Sequence, residues 1–167
     1  MELQFISPRQ LRPTEEYDSD AAVELSRKIT RDGFWRVPVL VHRGYFAILD
    51  GHHRWQAAIH MHLAMMPCFV GSYAEDNIQL GTWRDDFCPT VGDVFRAAGT
   101  GRLFPRKTTR HQFPKLNLNF AIPLDLLVDH VHAAEGEEAR LPLGPSLAPV
   151  LSGAHAPEHE LHSSTAS

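Results

Sequence analysis

Five consecutive residues, Asp50-Gly51-His52-His53-Arg54, combine an acid, a flexible turn, two imidazoles and a guanidinium. They follow an apolar run over 45–49 that reads as a buried strand. They precede Trp55, Ala58, Ile59 and His62, whose i, i+3, i+4, i+7 spacing predicts the inner face of a helix. A helix start leaves main-chain N–H groups without internal partners and carries partial positive charge, so Gly51 to Arg54 present donors suited to an anion, phosphate above all. Arg54 adds paired donors for phosphate oxygens, and Asp50 puts a carboxylate at nearly the same place. An acid and a base beside such a cradle point to phosphoryl chemistry. An ordinary strand-to-helix turn, with Asp50 as the cap and the histidines in solvent, is the plainer reading of the same letters.

Two further stretches carry groups of this kind. Residues 101–114 hold four Arg or Lys residues, among them Lys107 and Arg110, together with Thr108, Thr109 and His111. All of these donate to carboxylate or phosphate, and the stretch reads as a loop that binds a small anion. A nucleic-acid face would set more aromatics into it than Phe104 and Phe113. Upstream, Glu15 and Glu16 lie just outside the first predicted helix, where their plain role is favourable charge near a helix N-terminus.

The elements that position these residues follow from periodicity. A strand is predicted at 3–6, then a proline-bounded link over 7–13. Ala22, Leu25, Ser26 and Ile29 predict a helix over 19–32, capped by Asp18 or Ser19 and stopped by Gly33. Strands at 37–41 and 45–49 flank the hairpin-length His42-Arg43-Gly44. The central helix is followed by a strand at 66–70, with Pro67 at its start or on an edge, and by an alternating strand at 77–83 that ends at Trp83. Thr90 and Asp93 open a short helix along Val91, Val94, Phe95 and Ala98, closed by Gly99 and Gly101. Pro123 starts a last amphipathic helix through Leu124, Leu127, Val128 and Val131 that ends near Gly136. The expected order is β-α-β-β-α-β-β-α in a mixed α/β domain over 1–115, a C-terminal helix within 116–135 and a disordered tail over 136–167.

Composition narrows the function. The 167 residues, 43% hydrophobic, suffice for one domain with a core. The net charge of -4 argues against a general grip on nucleic acid. Cys68 and Cys88 have no C-x-x-C spacing and form no disulfide framework, which suits a reducing compartment. No apolar run approaches a membrane span and no signal peptide opens the chain, so a cytoplasmic protein is expected. The eleven histidines show no Cys/His spacing of a transition-metal site.

Ile48-Leu49-Asp50-Gly51-His52-His53-Arg54, with Leu11-Arg12-Pro13-Thr14-Glu15-Glu16 upstream and Pro105-Arg106-Lys107-Thr108-Thr109-Arg110-His111 downstream, resembles the free serine kinases of the ParB and sulfiredoxin-like fold. The likeness spans roughly residues 1–115. It implies transfer of a phosphoryl group from ADP or ATP to free L-serine, giving O-phospho-L-serine, with Mg2+ held mostly by phosphates and water and possible help from Asp50. It implies nucleotide phosphates on Gly51, His52, His53 and Arg54, and Glu15 as general base for the serine hydroxyl, with Asp50 as its catalytic companion. Asp50, His53, Trp83, Lys107, Thr109, Arg110 and His111 would hold serine and its product. Two departures stand out: Thr14 occupies a position where such sequences usually carry histidine, and the stretch between Trp83 and Thr109 is short. Other readings of the same turn are a ParB-like nucleotide-binding or DNA-associated module and a non-catalytic serine or phosphoserine sensor. The first calls for a basic recognition helix, and no helix expected after residue 115 is basic. A sulfiredoxin-like reductase would need a cysteine where His52-His53 stand.

Overall fold

The computed structural model describes residues 1–114 and 120–128. In chain order the elements are β1 (Glu2–Ile6), α1 (Ser19–Asp32), β2 (Phe34–Trp35), β3 (Val39–His42), β4 (Ile48–Asp50), α2 (His52–His60), β5 (Met66–Gly71), β6 (Gln79–Thr82), α3 (Val91–Thr100), β7 (Thr109–Gln112) and β8 (Ile122–Pro123). Single 3-10 turns lie at Pro8–Gln10 and Leu124–Leu127.

The main sheet has the order β1-β5-β3-β4, with β3 parallel to β5 and the outer pairs antiparallel. Strand β3 is buried along its whole length because its two faces meet different layers. Val39 and Val41 join Ile48, Cys68 and Val70 in a cluster completed by Ala58 and Trp55 of α2 and Ile29 of α1. Leu40 and Leu49 face the other way, onto Ile78, Val94 of α3 and Phe104. The sheet is thus sandwiched between an α1–α2 layer and a layer of α3 with the β6–β7 ribbon.

Local signals account for the helix ends. The Asp18 carboxylate accepts from the N–H groups of Asp20 and Ala21, and Gly33 closes α1 at φ 73°. Thr90 and Asp93 form a reciprocal capping box on α3, which runs through Gly99 and stops at Gly101. Helix α2 is shorter than its spacing predicts. It ends at His60, and His62, expected on the inner face, lies exposed at φ 53° just past the end. Pro67 sits near the start of β5, which is an interior strand.

Non-local pairing produced what periodicity did not anticipate. Four residues of the expected basic loop form β7, antiparallel to β6 in the register Thr82↔Thr109, Gly81↔Arg110, Leu80↔His111. The helix expected from Pro123 begins instead with β8, which pairs with β2, and continues as the 3-10 turn Leu124–Leu127. Proline has no N–H to give a sheet but tolerates a strand end, and the turn is held by tertiary contacts: Leu127 is buried, and its carbonyl accepts from the N–H groups of Ala64 and Met65. The rest of that expected helix and the tail over 136–167 lie outside the described residues.

Leu127→Ala should therefore lower unfolding free energy by about 2–5 kcal/mol. Leu126→Ala, at a site 68% exposed, should stay within about 0.5 kcal/mol. Urea titrations of the two variants check this, and equal effects would show that the turn does not belong to the core.

Candidate active site

The end of β4, the N-terminus of α2, the link before α1 and the β6–β7 ribbon enclose a cleft of about 740 Å³. Gly51 makes the turn possible. Its φ of 102° suits glycine, and a Cβ there would meet the Arg54 guanidinium at 2.9 Å. The first N–H groups of α2 follow, unpaired within the helix, as in any helix start.

The cleft brings together residues far apart in sequence. Glu15 enters from the link before α1, Asp50 to Arg54 from the turn, Trp83 from the end of β6, and Lys107, Thr109, Arg110 and His111 from β7 and the turn before it. Every residue given a role by the family resemblance lines this one space, whereas Thr108 of the basic stretch is buried and donates its hydroxyl to the Pro105 carbonyl. Asp18, Leu25 and Val37, which sequence reasoning did not assign to it, line it too, as does Arg106 of the basic stretch. Asp18 was read only as a helix cap, Leu25 as part of the first helix and Val37 as part of a strand.

The side chains are committed in ways the letters do not show. One oxygen of the Glu15 carboxylate accepts from both the main-chain N–H and the hydroxyl of Thr109, each at 2.5 Å. Among the described residues the other carboxylate oxygen receives no hydrogen bond. Arg54 donates to the Pro38 carbonyl at 2.8 Å and to Asp50 at 2.7 Å, so its guanidinium lies across Gly51 as a strap, and a phosphate must compete with Asp50 for it. His53 Nε2 accepts from the Asp18 N–H at 3.2 Å. His52 is buried: its Nε2 accepts from the N–H groups of Thr14 and Glu15, which leaves its main-chain N–H, not its ring, for an anion. Thr14, in the place where histidine was expected, is also buried and donates its hydroxyl to the Ile48 carbonyl.

On the opposite wall, the Arg110 guanidinium lies 4.4 Å from the centre of the Trp83 ring, which is 61% exposed. Lys107 is exposed in a left-handed conformation, φ 58°. Arg106 crosses to the Asp18 carboxylate at 2.7 Å and ties this turn to α1. Hydrogen bonds from Ala21 and Arg106 hold the Asp18 carboxyl below its usual range. His111 Nε2 meets the Tyr73 hydroxyl at 2.8 Å. Burial pushes the His52 and His111 imidazoles down to about 4. No three His, Cys, Asp or Glu side chains gather as a metal cage among the described residues. None of the described helices is long and apolar enough to cross a membrane.

An imidazole that stays neutral in the folded chain but titrates near 6.5 when unfolded costs stability as pH falls between those values, because the unfolded state then binds more protons. Stability should thus be fully present above about pH 6.5 and fall steadily toward pH 4. His111→Phe should flatten that slope in urea titrations run at several pH values. An unchanged slope would place the His111 ring in solvent.

Residues 1–80 match the ParB N-terminal domain family. The chain is 28% identical over 106 residues to a ParB-like protein of Sulfolobus acidocaldarius, covering 60% of this chain and 53% of that one. It is 29% identical over 83 residues to an ATP-dependent L-serine kinase of Staphylothermus marinus, covering 47% of this chain and 33% of that one. It thus spans about half the length of the first relative and about a third of the second. Among solved structures, a free serine kinase in complex with AMP superposes with a TM-score of 0.67 at 15% identity, over 75% of this chain and 93% of that one. The fold is shared with the free serine kinases.

Proposed function

We propose that this chain, whose residues 1–80 match the ParB N-terminal domain family, transfers the terminal phosphoryl group of ADP or ATP to the hydroxyl of free L-serine. The observation that carries this reading is the meeting of an oriented carboxylate, Glu15, with the open N-terminus of α2 in one cleft. The relative named as an ATP-dependent L-serine kinase supports it.

The chemistry follows from those groups. A serine hydroxyl is a weak nucleophile, so a carboxylate that accepts its proton as the oxygen–phosphorus bond forms lowers the barrier. The bond from phosphorus to the bridging oxygen breaks, AMP or ADP leaves, and the proton rests on Glu15. The first N–H groups of α2 stabilise charge on the phosphoryl oxygens. Arg54 joins them when it exchanges Asp50 for phosphate, and the freed Asp50 can face the serine ammonium. Arg110, set on Trp83 beside Lys107, suits the serine carboxylate. A smaller pocket of about 200 Å³, whose lining sets Leu25, Ile29, Phe34, Trp35 and Val37 beside Lys28, Asp32 and Arg36, shares Leu25, Val37 and Arg54 with the cleft and offers an apolar wall for a nucleotide base. Magnesium needs one or two carboxylates besides phosphate oxygens and water, and Asp50, 56% exposed in its side chain at the turn, fits that need. When bound, the ion neutralises phosphate charge.

The ParB-like relative, matched over more of this chain, favours a second reading as a nucleotide-binding module without phosphoryl transfer. Incubation of the protein with magnesium, L-serine and ADP or ATP, followed by mass spectrometry for O-phosphoserine, separates the two. Glu15→Gln should fold and bind ADP but form phosphoserine at least about a hundredfold more slowly, whereas Glu16→Gln loses less than about tenfold. Equivalent effects would move the base elsewhere. Arg110→Ala should raise the KM for serine and leave ADP binding nearly unchanged, as read by kinetics and calorimetry; parallel losses would assign Arg110 a general surface role.

A further inference from the structure

His52 was expected on the phosphates, but its ring is turned away from them. Nε2 lies 3.0 Å from the Thr14 nitrogen and 3.1 Å from the Glu15 nitrogen. The Thr14 hydroxyl stands 3.2 Å away, with its own proton directed to the Ile48 carbonyl at 2.8 Å. A ring nitrogen that receives two N–H donors carries no hydrogen itself, so the ring hydrogen sits on Nδ1. The residue is only 9% exposed, so water has little access to replace the ring if it is lost. The segment it holds belongs to no extended strand: Glu15 forms only an isolated bridge with Phe104.

We propose that His52 is a positioning residue for Glu15: its unprotonated Nε2 fixes the Thr14–Glu15 main chain and so sets the Glu15 carboxylate against Thr109, facing the cleft. His52 is then no ligand of phosphate through its ring. The inference rests on the kinase reading for its effect on rate and stands apart from it for its effect on geometry. The Thr14 hydroxyl reaches the Ile48 carbonyl and adds a second tie from this segment to the end of β4.

The test compares His52→Gln, whose side-chain oxygen can reach the place of Nε2 and accept, with His52→Leu, which fills the space without an acceptor. Three readouts are needed on the full chain: the nitrogen NMR shifts of the His52 ring, amide hydrogen exchange at Thr14 and Glu15, and steady-state kinetics beside calorimetric ADP binding. The unsubstituted protein should show the Nδ1–H form at neutral pH. His52→Leu should speed exchange at both amides and lower kcat by about a hundredfold, with ADP affinity kept within about threefold. His52→Gln should recover most of the rate and the protection. A larger loss in ADP affinity than in kcat would overturn the inference and make the ring a phosphate ligand. If His52→Leu does not fold, His52→Asn replaces it. Its amide matches Nδ1 and falls short of the two N–H groups, so equal behaviour of the Gln and Asn variants would overturn the inference. Absence of phosphoserine from the unsubstituted protein would sink the kinase reading alone. Exchange at Thr14 and Glu15 that is alike in all variants would sink this inference alone.

Discussion

A stretch of extended chain before α1, from Arg12 to Glu16, has to be held between two bodies it does not belong to, and the cleft depends on that grip. On one side Arg12 exchanges main-chain hydrogen bonds with Phe46 and Ile48, and the Thr14 hydroxyl reaches the Ile48 carbonyl. On the other, Thr14 and Glu16 pair with Phe104, and Glu15 receives Thr109. His52 closes the arrangement from the start of α2. Buried main-chain groups must find partners, and here the partners come from three segments at once. A change in any one of them would move the carboxylate relative to the helix end.

The three guanidiniums of the cleft are held in place, while Lys107 makes no ion pair among the described residues. Arg54 is held by Asp50, Arg106 by Asp18, and Arg110 lies on Trp83. Each pair is partly exposed, so each contributes little to stability and is cheap to exchange for a ligand of like charge. An entering phosphate competes with one carboxylate for one guanidinium, which leaves that carboxylate available to a cation. The cleft is therefore suited to receiving an anionic and a cationic group side by side.

The groups that carry the site came into view in the sequence at different depths. The helix start at Gly51 and its donors were legible because a strand, a glycine and an amphipathic run are local signals. That Glu15, Trp83 and the Lys107–His111 stretch share the cleft rested on their resemblance to a known arrangement, since nothing in their spacing brings positions 15, 83 and 110 together. The inward hydrogen bonds of the His52 ring and the hold of Asp50 and Pro38 on Arg54 were not foreseen, because both side chains look free when only their neighbours in the chain are considered.

The sequence by itself determined the local punctuation: the bounds of α1 between Asp18 and Gly33, the capping box of Thr90 and Asp93, the turn at Gly51, and the apolar run that forms β3. These follow from contacts within about four residues and from backbone preferences that the residues carry anywhere. Tertiary structure alone decided the β6–β7 pairing, the β2–β8 pair that replaces an expected helix, the early end of α2, and the partners of His52, Arg54 and Glu15. In each case a hydrogen-bonding group or a half-buried face had several partners open to it. Apart from Asp50, four residues from Arg54, the choice was made by a segment 16 to 94 residues away for the side chains, where closing the loop costs entropy that only the assembled core offsets.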